Sequence, residues 1–222
     1  MEPSAYSAFL RECGVDPGRL GHLDLLARLH ADLRAANERT NLTRITGEWD
    51  FWNLHVADCL LVGRAAPDVM TEPLRVADAG CGAGFPLIPL AWANPRLEAV
   101  GFESRRRKAD FVRAEAAALG LPNCRVVARR VREAARLAEH AGAYDVVVAR
   151  AVGTAAELVR ECRGLLRPGA GSRLILYKTP NAVSAEWPLA EREAAKHGLH
   201  VGTSEMLHLP GGEPRTFLVI SR

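Results

Sequence analysis

The sequence predicts an α/β protein built around a mostly parallel β-sheet of seven strands, with a helical cap at the N-terminus. Three observations predict this fold. From residue 74 onward, short apolar runs alternate with amphipathic stretches of helical length. The first apolar run leads directly into a glycine-rich turn. The residues before position 73 contain only helical patterns, and a chain of 222 residues that is 48% hydrophobic can bury a core of this size.

The first part of the chain, residues 1–72, has the periodicity of amphipathic helices. Leucines at four-residue spacing predict a helix over residues 22–40, and apolar residues at three- and four-residue steps predict another over residues 49–64. Pro73 marks a boundary before the first strand. We therefore expect a helical cap followed by a second domain at residues 73–222.

In this second domain, strands and helices alternate in chain order. Strands are predicted over residues 74–80, 97–103, 124–128, 144–151, 173–178, 199–209 and 215–222. Helices are predicted over residues 86–93, 105–120, 131–141, 154–166 and 185–198. Repeated strand–helix units give parallel strands with helices on both faces of the sheet. Since a short turn joins the last two strands, we expect the C-terminal strand to be antiparallel.

Charge and cysteine content restrict the function further. The formal net charge is only +3, but basic residues concentrate at 105–113 and 125–132, which favours a polyanionic partner. The five cysteines lie far apart without a CxxC pair, so we expect free thiols and no metal site. No stretch approaches the roughly 20 apolar residues of a membrane span, and no run has signal-peptide character. We therefore expect a cytoplasmic protein.

The most specific motif is the turn D-A-G-C-G-A-G at residues 78–84, between the first strand and the next helix. Ligands of such sheets bind at the carboxyl ends of the strands. The dinucleotide fingerprint G-x-G-x-x-G fails, because its third glycine falls on Phe85 or Leu87 in the two possible registers. The turn resembles instead the S-adenosylmethionine loop of Rossmann-like class I methyltransferases. This resemblance implies cofactor binding by Asp78, Gly80, Gly82 and Gly84.

Glu103 supplies a second part of this site. It ends the second predicted strand, 19 residues after Gly84. A carboxylate at this strand tip can accept hydrogen bonds from both ribose hydroxyls of an adenosyl group. The loop and the acid at this spacing together predict binding of S-adenosylmethionine.

The motifs that the chain lacks restrict which atom of a substrate can accept the methyl group. Methyltransferases acting on exocyclic amines commonly carry [ND]PP[YFW] after the fourth strand, where this chain has A-R-A-V-G. Cytosine C5 methylation needs a cysteine nucleophile, and neither Cys81 nor Cys124 is placed for that role. An acceptor with a free lone pair, such as guanine N7, needs no general base. Arg150 and Lys178, which end the fourth and fifth strands, are then the candidate catalytic residues.

These residues resemble the glucose-inhibited division protein B family, the ribosomal RNA small subunit methyltransferase G group. The resemblance runs from about residue 38 to the C-terminus, and its most specific part is G-x-G-x-G-x-P-x-x-P-L at residues 80–90. The other matching pieces are Asn41-Leu42-Thr43, His55-x-x-Asp58, Glu103-Ser104, Arg130-Val131, Ala149-Arg150-Ala151, Lys178 and Pro214-Arg215.

The resemblance implies methylation of guanine N7 in the 530 loop of 16S rRNA, by in-line transfer from S-adenosyl-L-methionine. The family's cofactor contacts carry over to Gly80, Phe85, Val131, Arg132 and Arg150. The basic residues implied in binding RNA or the target base are Arg107, Lys108, Arg130, Lys178 and Arg215. We expect a monomer that acts on ribosomal RNA or the small ribosomal subunit, with no metal and no membrane partner.

Two other functions stay open from the sequence, namely a small-molecule methyltransferase and a non-catalytic module that binds the cofactor or RNA. The chain departs from the family at Arg132, where an acidic residue is usual. His55 and Asp58 are expected to hydrogen-bond within the helical cap. Trp49 and Trp52 are expected to pack in the core.

Overall fold

The computed structural model describes residues 3–169 and 171–222. In this part of the chain the α-helices are α1 (Pro3–Glu12), α2 (Pro17–Leu20), α3 (Leu23–Thr40), α4 (Glu48–Asp50), α5 (Asp58–Leu60), α6 (Val62–Ala65), α7 (Asp68–Thr71), α8 (Leu87–Ala93), α9 (Arg106–Ala118), α10 (Val131–Ala134), α11 (Ala155–Cys162) and α12 (Pro180–Ala195). A π-helical segment covers Phe51–Ala57 and a 3₁₀ turn covers Arg163–Leu165. The strands are β1 (Arg75–Ala79), β2 (Glu98–Phe102), β3 (Cys124–Val127), β4 (Val146–Arg150), β5 (Arg173–Lys178), β6 (His200–Thr203), β7 (Leu207–His208) and β8 (Pro214–Ser221).

The strands form one sheet in the order β3-β2-β1-β4-β5-β8-β6, with β7 paired to β8 off this path. Strands β1 to β5 pair in parallel, and β8 pairs antiparallel with β5 and β6. The predicted mostly parallel sheet with an antiparallel C-terminal strand is therefore confirmed. Because β1 and β4 are neighbours, with β2 beyond β1, the carboxyl ends of these strands lie side by side.

Three sequence predictions within residues 73–222 were wrong in detail. The helix predicted over residues 185–198 runs instead over Pro180–Ala195, where Thr179 caps its start. The predicted strand over residues 199–209 is split into β6 and β7 at Ser204, whose N–H donates to the Phe217 carbonyl at 2.9 Å but whose hydroxyl accepts the Phe217 N–H at 3.0 Å. The predicted helix over residues 131–141 ends at Ala134. There the chain turns so that His140 is buried, within 2.7 Å of the Tyr144 hydroxyl.

The sheet is covered on both faces, as the alternation of β4 shows. Val146 and Val148 pack into one apolar cluster with the cap, α8 and α9, whereas Val147 and Ala149 pack into a second with α11 and α12. The cap contributes fully buried leucines to the first cluster, and each such side chain contributes about 2 kcal/mol of hydrophobic stabilisation. The cap and the sheet therefore share a continuous core.

The predicted helix over residues 22–40 is confirmed by α3, which ends where Asn41 adopts a left-handed backbone with φ of 47°. The helix predicted over residues 49–64 is broken into short pieces around the π-helical segment Phe51–Ala57. π-Helical turns occur frequently at functional sites. This one carries His55 and is followed directly by Asp58, both of which face the carboxyl end of β4.

Within the described part of the chain, no helix is both long enough and apolar enough to cross a membrane. The same residues contain no cluster of three or more histidine, cysteine, aspartate or glutamate side chains that could hold a metal ion.

Candidate active site

The glycine loop, residues 78–84, connects β1 to α8 by a tight turn. The backbone N–H groups of Gly80 and Cys81 donate to the Phe102 carbonyl at 2.9 and 3.1 Å, which ties the loop to β2. Gly80 has φ of 79°, and a Cβ there would stand 2.9 Å from Cγ2 of Val152. Only glycine therefore allows this close approach of the loop to the segment after β4.

Asp78 lies beneath the glycine loop and is fully buried. Its Oδ2 accepts the Leu87 N–H at 3.0 Å, which fixes the start of α8. Its Oδ1 has no hydrogen-bond partner among the described residues. Desolvation raises the pKa of Asp78 to about 7, partly offset by the bond from Leu87 and by the charge of Arg150. Asp78 thus orders the loop and keeps an unused acceptor.

Glu103 stands at the carboxyl end of β2 and is also buried. One carboxylate oxygen accepts the Gly82 N–H at 3.1 Å and the other accepts the Arg105 N–H at 2.7 Å. A carboxylate has about four lone-pair sites, so these two bonds leave acceptor capacity on each oxygen. Glu103 can therefore bind two further donors without losing its hold on the glycine loop.

Two cavities adjoin along this loop and share Gly80, Glu103 and Val152. The smaller cavity, of about 210 Å³, is lined by Ala79, Gly80, Phe102, Glu103, Ser104, Arg129, Arg130, Val131, Val152, Leu158 and Glu161. The larger cavity, of about 520 Å³, is lined by Leu42, Thr43, Arg44, Ile45, His55, Gly80, Cys81, Gly82, Ala83, Phe85, Glu103, Arg105, Lys108, Arg150, Ala151 and Val152. An elongated ligand lying across Gly80 would enter both.

The wall of the larger cavity includes a buried polar cluster that joins the cap to β4. Arg150 Nη1 donates to the Leu54 carbonyl at 2.7 Å and to Asp58 Oδ2 at 2.8 Å, and Nη2 donates to His55 Nδ1 at 2.9 Å. Asp58 Oδ1 accepts from Nε of Arg215 at 2.6 Å. We call His55, Asp58, Arg150 and Arg215 the cap–strand junction.

The His55 ring is stacked on Phe85 of the loop–helix turn, with centroids 4.1 Å apart. Burial lowers the pKa of His55 to about 3, and the neighbouring Arg150 charge adds to the effect. Because Nδ1 accepts from Arg150, the proton is assigned to Nε2, which lies 3.2 Å from the Thr43 hydroxyl. Both ring nitrogens of a neutral imidazole are thus occupied.

The expectation that His55 and Asp58 hydrogen-bond within the cap is confirmed for His55 and wrong for Asp58, whose side chain binds Arg150 and Arg215. His55 does reach Thr43 in the cap, but both residues also bind Arg150 at the end of β4. Trp49 is 44% exposed, so the prediction that it packs in the core was also wrong. Trp52 is partly buried against the core cluster.

Two residues predicted to act on the target base lie outside both cavities. Lys178 pairs with Glu186 at 2.9 Å and donates to the Gly153 carbonyl at 3.2 Å, which anchors the segment after β4. Arg215 forms an ion pair with Asp58 in the cap–strand junction. These contacts favour structural roles for both side chains over direct contact with a base.

The other predicted basic residues differ in their access to the site. Arg130 is exposed at the smaller cavity, and Lys108 lines the larger cavity while donating to the Leu42 carbonyl at 2.9 Å. Arg107 and Arg132 are exposed but line neither cavity.

The structure thus brings a subset of the predicted cofactor residues to the two cavities, namely Gly80, Gly82, Phe85, Glu103, Val131 and Arg150. Asp78 and Gly84, the first and last residues of the loop, line neither cavity. Sequence reasoning missed the cap segment at residues 42–45 and Val152 as cavity walls. The motif Asn41-Leu42-Thr43 was a signal for the first, whereas nothing in the sequence distinguished Val152.

The chain matches the profile of a family described as GidB, rRNA small subunit methyltransferase G, over residues 22–212. Ribosomal RNA small subunit methyltransferase G of Deinococcus deserti is 37% identical, with 100% of this chain and 90% of that protein covered. The protein of the same name from Roseiflexus castenholzii is 38% identical over 89% of this chain and 82% of its own length.

Solved structures share the fold at low sequence identity. The O-methyltransferase from Bacillus cereus in complex with SAH superposes with a TM-score of 0.60 at 15% identity, covering 90% of this chain and 91% of that chain. Fibrillarin of Aeropyrum pernix with bound S-adenosyl-L-methionine gives a TM-score of 0.55 at 17% identity, covering 73% of each chain. The architecture is therefore that of Rossmann-like methyltransferases.

Proposed function

Because this chain belongs to the GidB family of rRNA small subunit methyltransferases, we propose that it methylates N7 of a guanine in the 530 loop of 16S rRNA, with S-adenosylmethionine as donor. The observation that carries the proposal is the pair of adjoining cavities along Gly80 and Glu103. In this proposal residues 73–222 form the catalytic domain and residues 1–72 form its cap.

The residues around the smaller cavity fit an adenosyl group. Glu103 has acceptor capacity left for ribose hydroxyls, and Val131 offers an apolar wall for a base. The glycine loop, without side chains at Gly80 and Gly82, allows a ligand to lie against its backbone. When bound, S-adenosylmethionine supplies an electrophilic methyl group.

The residues around the larger cavity suit an acceptor that needs no deprotonation. Guanine N7 carries a lone pair, so methyl transfer to it moves one positive charge from donor to base and releases no proton. His55 is unsuited to act as a base because both its nitrogens are engaged and its pKa is about 3. Burial raises the pKa of Cys81, which keeps its thiol protonated. The chain's contribution is therefore positioning and electrostatics.

The rim of both cavities is basic, which suits an RNA substrate. Arg44, Arg105 and Lys108 stand at the larger cavity, and Arg129 and Arg130 stand at the smaller. Of these, the four arginines are exposed. Cations at such a rim bind phosphates by releasing counterions, so we expect RNA affinity to fall steeply with salt.

The test is methyl incorporation from labelled S-adenosylmethionine into 16S rRNA and into small subunits from cells that lack this modification, followed by mass spectrometric mapping of the nucleotide. We expect one methyl group at N7 of a guanine in the 530 loop. Gly80→Asp, which cannot keep the close approach to Val152, is the inactive control. Tight cofactor binding without incorporation into any ribosomal substrate would overturn the proposal. Incorporation into small metabolites alone would point to a small-molecule methyltransferase.

A further inference from the structure

We infer that His55 and Asp58 are positioning residues, which hold the guanidinium of Arg150 in one orientation at the wall of the larger cavity. The inference rests on the proposed function, because the orientation matters only if methyl transfer takes place in that cavity. It assigns a catalytic purpose to the π-helical segment of the cap, which is otherwise an irregularity in a packed helix.

The hydrogen bonds of Arg150 show which of its N–H donors are unused in this orientation. A guanidinium has five N–H donors in a fixed planar fork. Both Nη1 donors and one Nη2 donor are used by Leu54, Asp58 and His55. None of the hydrogen bonds that Arg150 makes to the described residues uses its Nε donor or its second Nη2 donor. Because Arg150 lines the larger cavity, we infer that these two donors can bind an electron-rich group there.

Two adjoining elements of the cap, α5 and the π-helical segment, fix this geometry. Asp58, the first residue of α5, accepts from Nη1, and His55, in the π-helical segment, accepts from Nη2. The His55 ring is in turn fixed by its stacking on Phe85 and by its contact with the Thr43 hydroxyl. Every partner has a single acceptor placed for Arg150, so the planar fork has one orientation that satisfies all of them.

The charges of the cap–strand junction support a role beyond packing. One buried carboxylate, Asp58, faces two guanidinium groups, those of Arg150 and Arg215. The three groups carry a net positive charge, and their side chains are 7%, 14% and 17% exposed respectively. A junction built only for stability would be better balanced, because an uncompensated buried charge is costly. The excess charge lies beside the cavity where Arg150 has two donors that these hydrogen bonds do not use.

The alternative is that Asp58 acts only by holding Arg215, and with it the start of β8, in place. A double-mutant cycle separates the two roles. We would measure kcat and KM for methyl transfer, together with unfolding midpoints, for Asp58→Asn, Arg150→Lys, Arg215→Gln and the two pairs that contain Asp58→Asn. Lysine keeps the charge at position 150 but lacks the planar fork.

We expect Asp58→Asn to lower kcat about 10- to 100-fold, the usual cost of removing a residue that orients a site ligand. In the Arg150→Lys background the same substitution should lower kcat less than threefold, because the fork that it positions is already gone. Coupling in kcat is thus expected with Arg150 and not with Arg215. An equal loss of kcat in the wild-type and Arg150→Lys backgrounds, or coupling with Arg215 alone, would overturn the inference.

His55 offers a matched pair of variants. Asparagine places its amide oxygen near the position of Nδ1 and so keeps an acceptor for Arg150. Glutamine places its amide nitrogen near Nε2 and so keeps the donor toward Thr43 but loses that acceptor. Both lose the stacking on Phe85. We expect His55→Asn to retain at least fivefold more turnover than His55→Gln, and the reverse order would contradict a positioning role.

Failure of the inference is distinguishable from failure of the proposed function. If the wild-type protein methylates no ribosomal substrate, the function is wrong, whatever the variants do. The same cycle between Asp58 and Arg150 is then read from the dissociation constant of S-adenosylhomocysteine, measured by calorimetry on the folded variants. Coupling there of threefold or more supports positioning, and additive effects reject it.

Discussion

The glycine loop and the cap–strand junction meet at Phe85, but their contacts bridge very different separations along the chain. The loop is closed by the bond between Asp78 and Leu87, nine residues apart. In the junction, Asp58 binds Arg150 and Arg215 across 92 and 157 residues. The loop depends on local backbone geometry, whereas the junction exists only when the cap, β4 and β8 have packed together.

This difference has an energetic consequence. Glu103, the proposed ribose contact, can be changed without removing the backbone bonds that tie the loop to the Phe102 carbonyl. The junction cannot lose Asp58 so easily, since this one carboxylate faces two largely buried guanidinium groups. We therefore expect loss of the Glu103 carboxylate to affect mainly cofactor binding, and changes in the junction to affect folding and turnover together. The buried Asp78 beneath the loop is expected to affect stability.

Asp58→Ala should have the largest effect, because it leaves two largely buried guanidinium groups facing each other without their shared carboxylate. Removing one partner of a buried ion pair typically costs about 3–5 kcal/mol. Urea denaturation of wild type and variant measures this loss. A change below about 1 kcal/mol would show that the junction is hydrated and that its buried charges do not stabilise the fold.

Asp78→Asn should reveal the next largest effect, as a dependence of stability on pH. The folded-state pKa of about 7 lies above the ordinary value of 3.8, so folding favours the protonated acid. This contribution is complete below about pH 4 and is lost as the pH rises through about 7. The variant, a neutral isostere, should gain roughly 2–4 kcal/mol relative to wild type between these limits. Parallel pH profiles of unfolding free energy would contradict the raised pKa.

The sequence predicted the loop and much of the fold because both depend on short-range patterns. The periodicity of β-branched residues located β4, and the D-x-G-x-G-x-G motif located the turn between β1 and α8. The roles of Lys178 and Arg215 were harder to predict, because their partners Glu186 and Asp58 become neighbours only in the folded sheet. The split between β6 and β7 likewise depends on a Ser204 hydroxyl bond that no periodicity reveals.

Glu103→Gln tests the carboxylate that binds the glycine loop at Gly82. The amide keeps the shape of the carboxylate but replaces one acceptor oxygen by an NH₂ group, which cannot accept a hydrogen bond. We expect S-adenosylhomocysteine affinity to fall about 10- to 100-fold, or about 1.4–2.8 kcal/mol, with a smaller change in unfolding free energy. Calorimetry and urea denaturation give the two numbers. A loss of unfolding free energy larger than the loss of binding free energy would contradict the expectation that Glu103 acts mainly on the cofactor.

The smallest effect is expected at the basic rim. Arg130→Ala should weaken RNA binding uniformly across sequences and reduce the slope of log affinity against log salt by about 1. Arg192→Ala, another exposed arginine, on α12, is the matched control and should leave the slope unchanged. Filter binding at several salt concentrations measures both. Equal slopes for the wild type and Arg130→Ala would remove this residue from the RNA contact surface.

The most direct test of cofactor binding at Gly80 and Glu103 is a calorimetric titration of the pure, folded protein with S-adenosylhomocysteine. We expect a saturable isotherm with one site per chain, and much weaker binding by Glu103→Gln. The absence of saturable heat from the wild-type protein at two different temperatures, or binding by Glu103→Gln as tight as that of the wild type, would contradict this site.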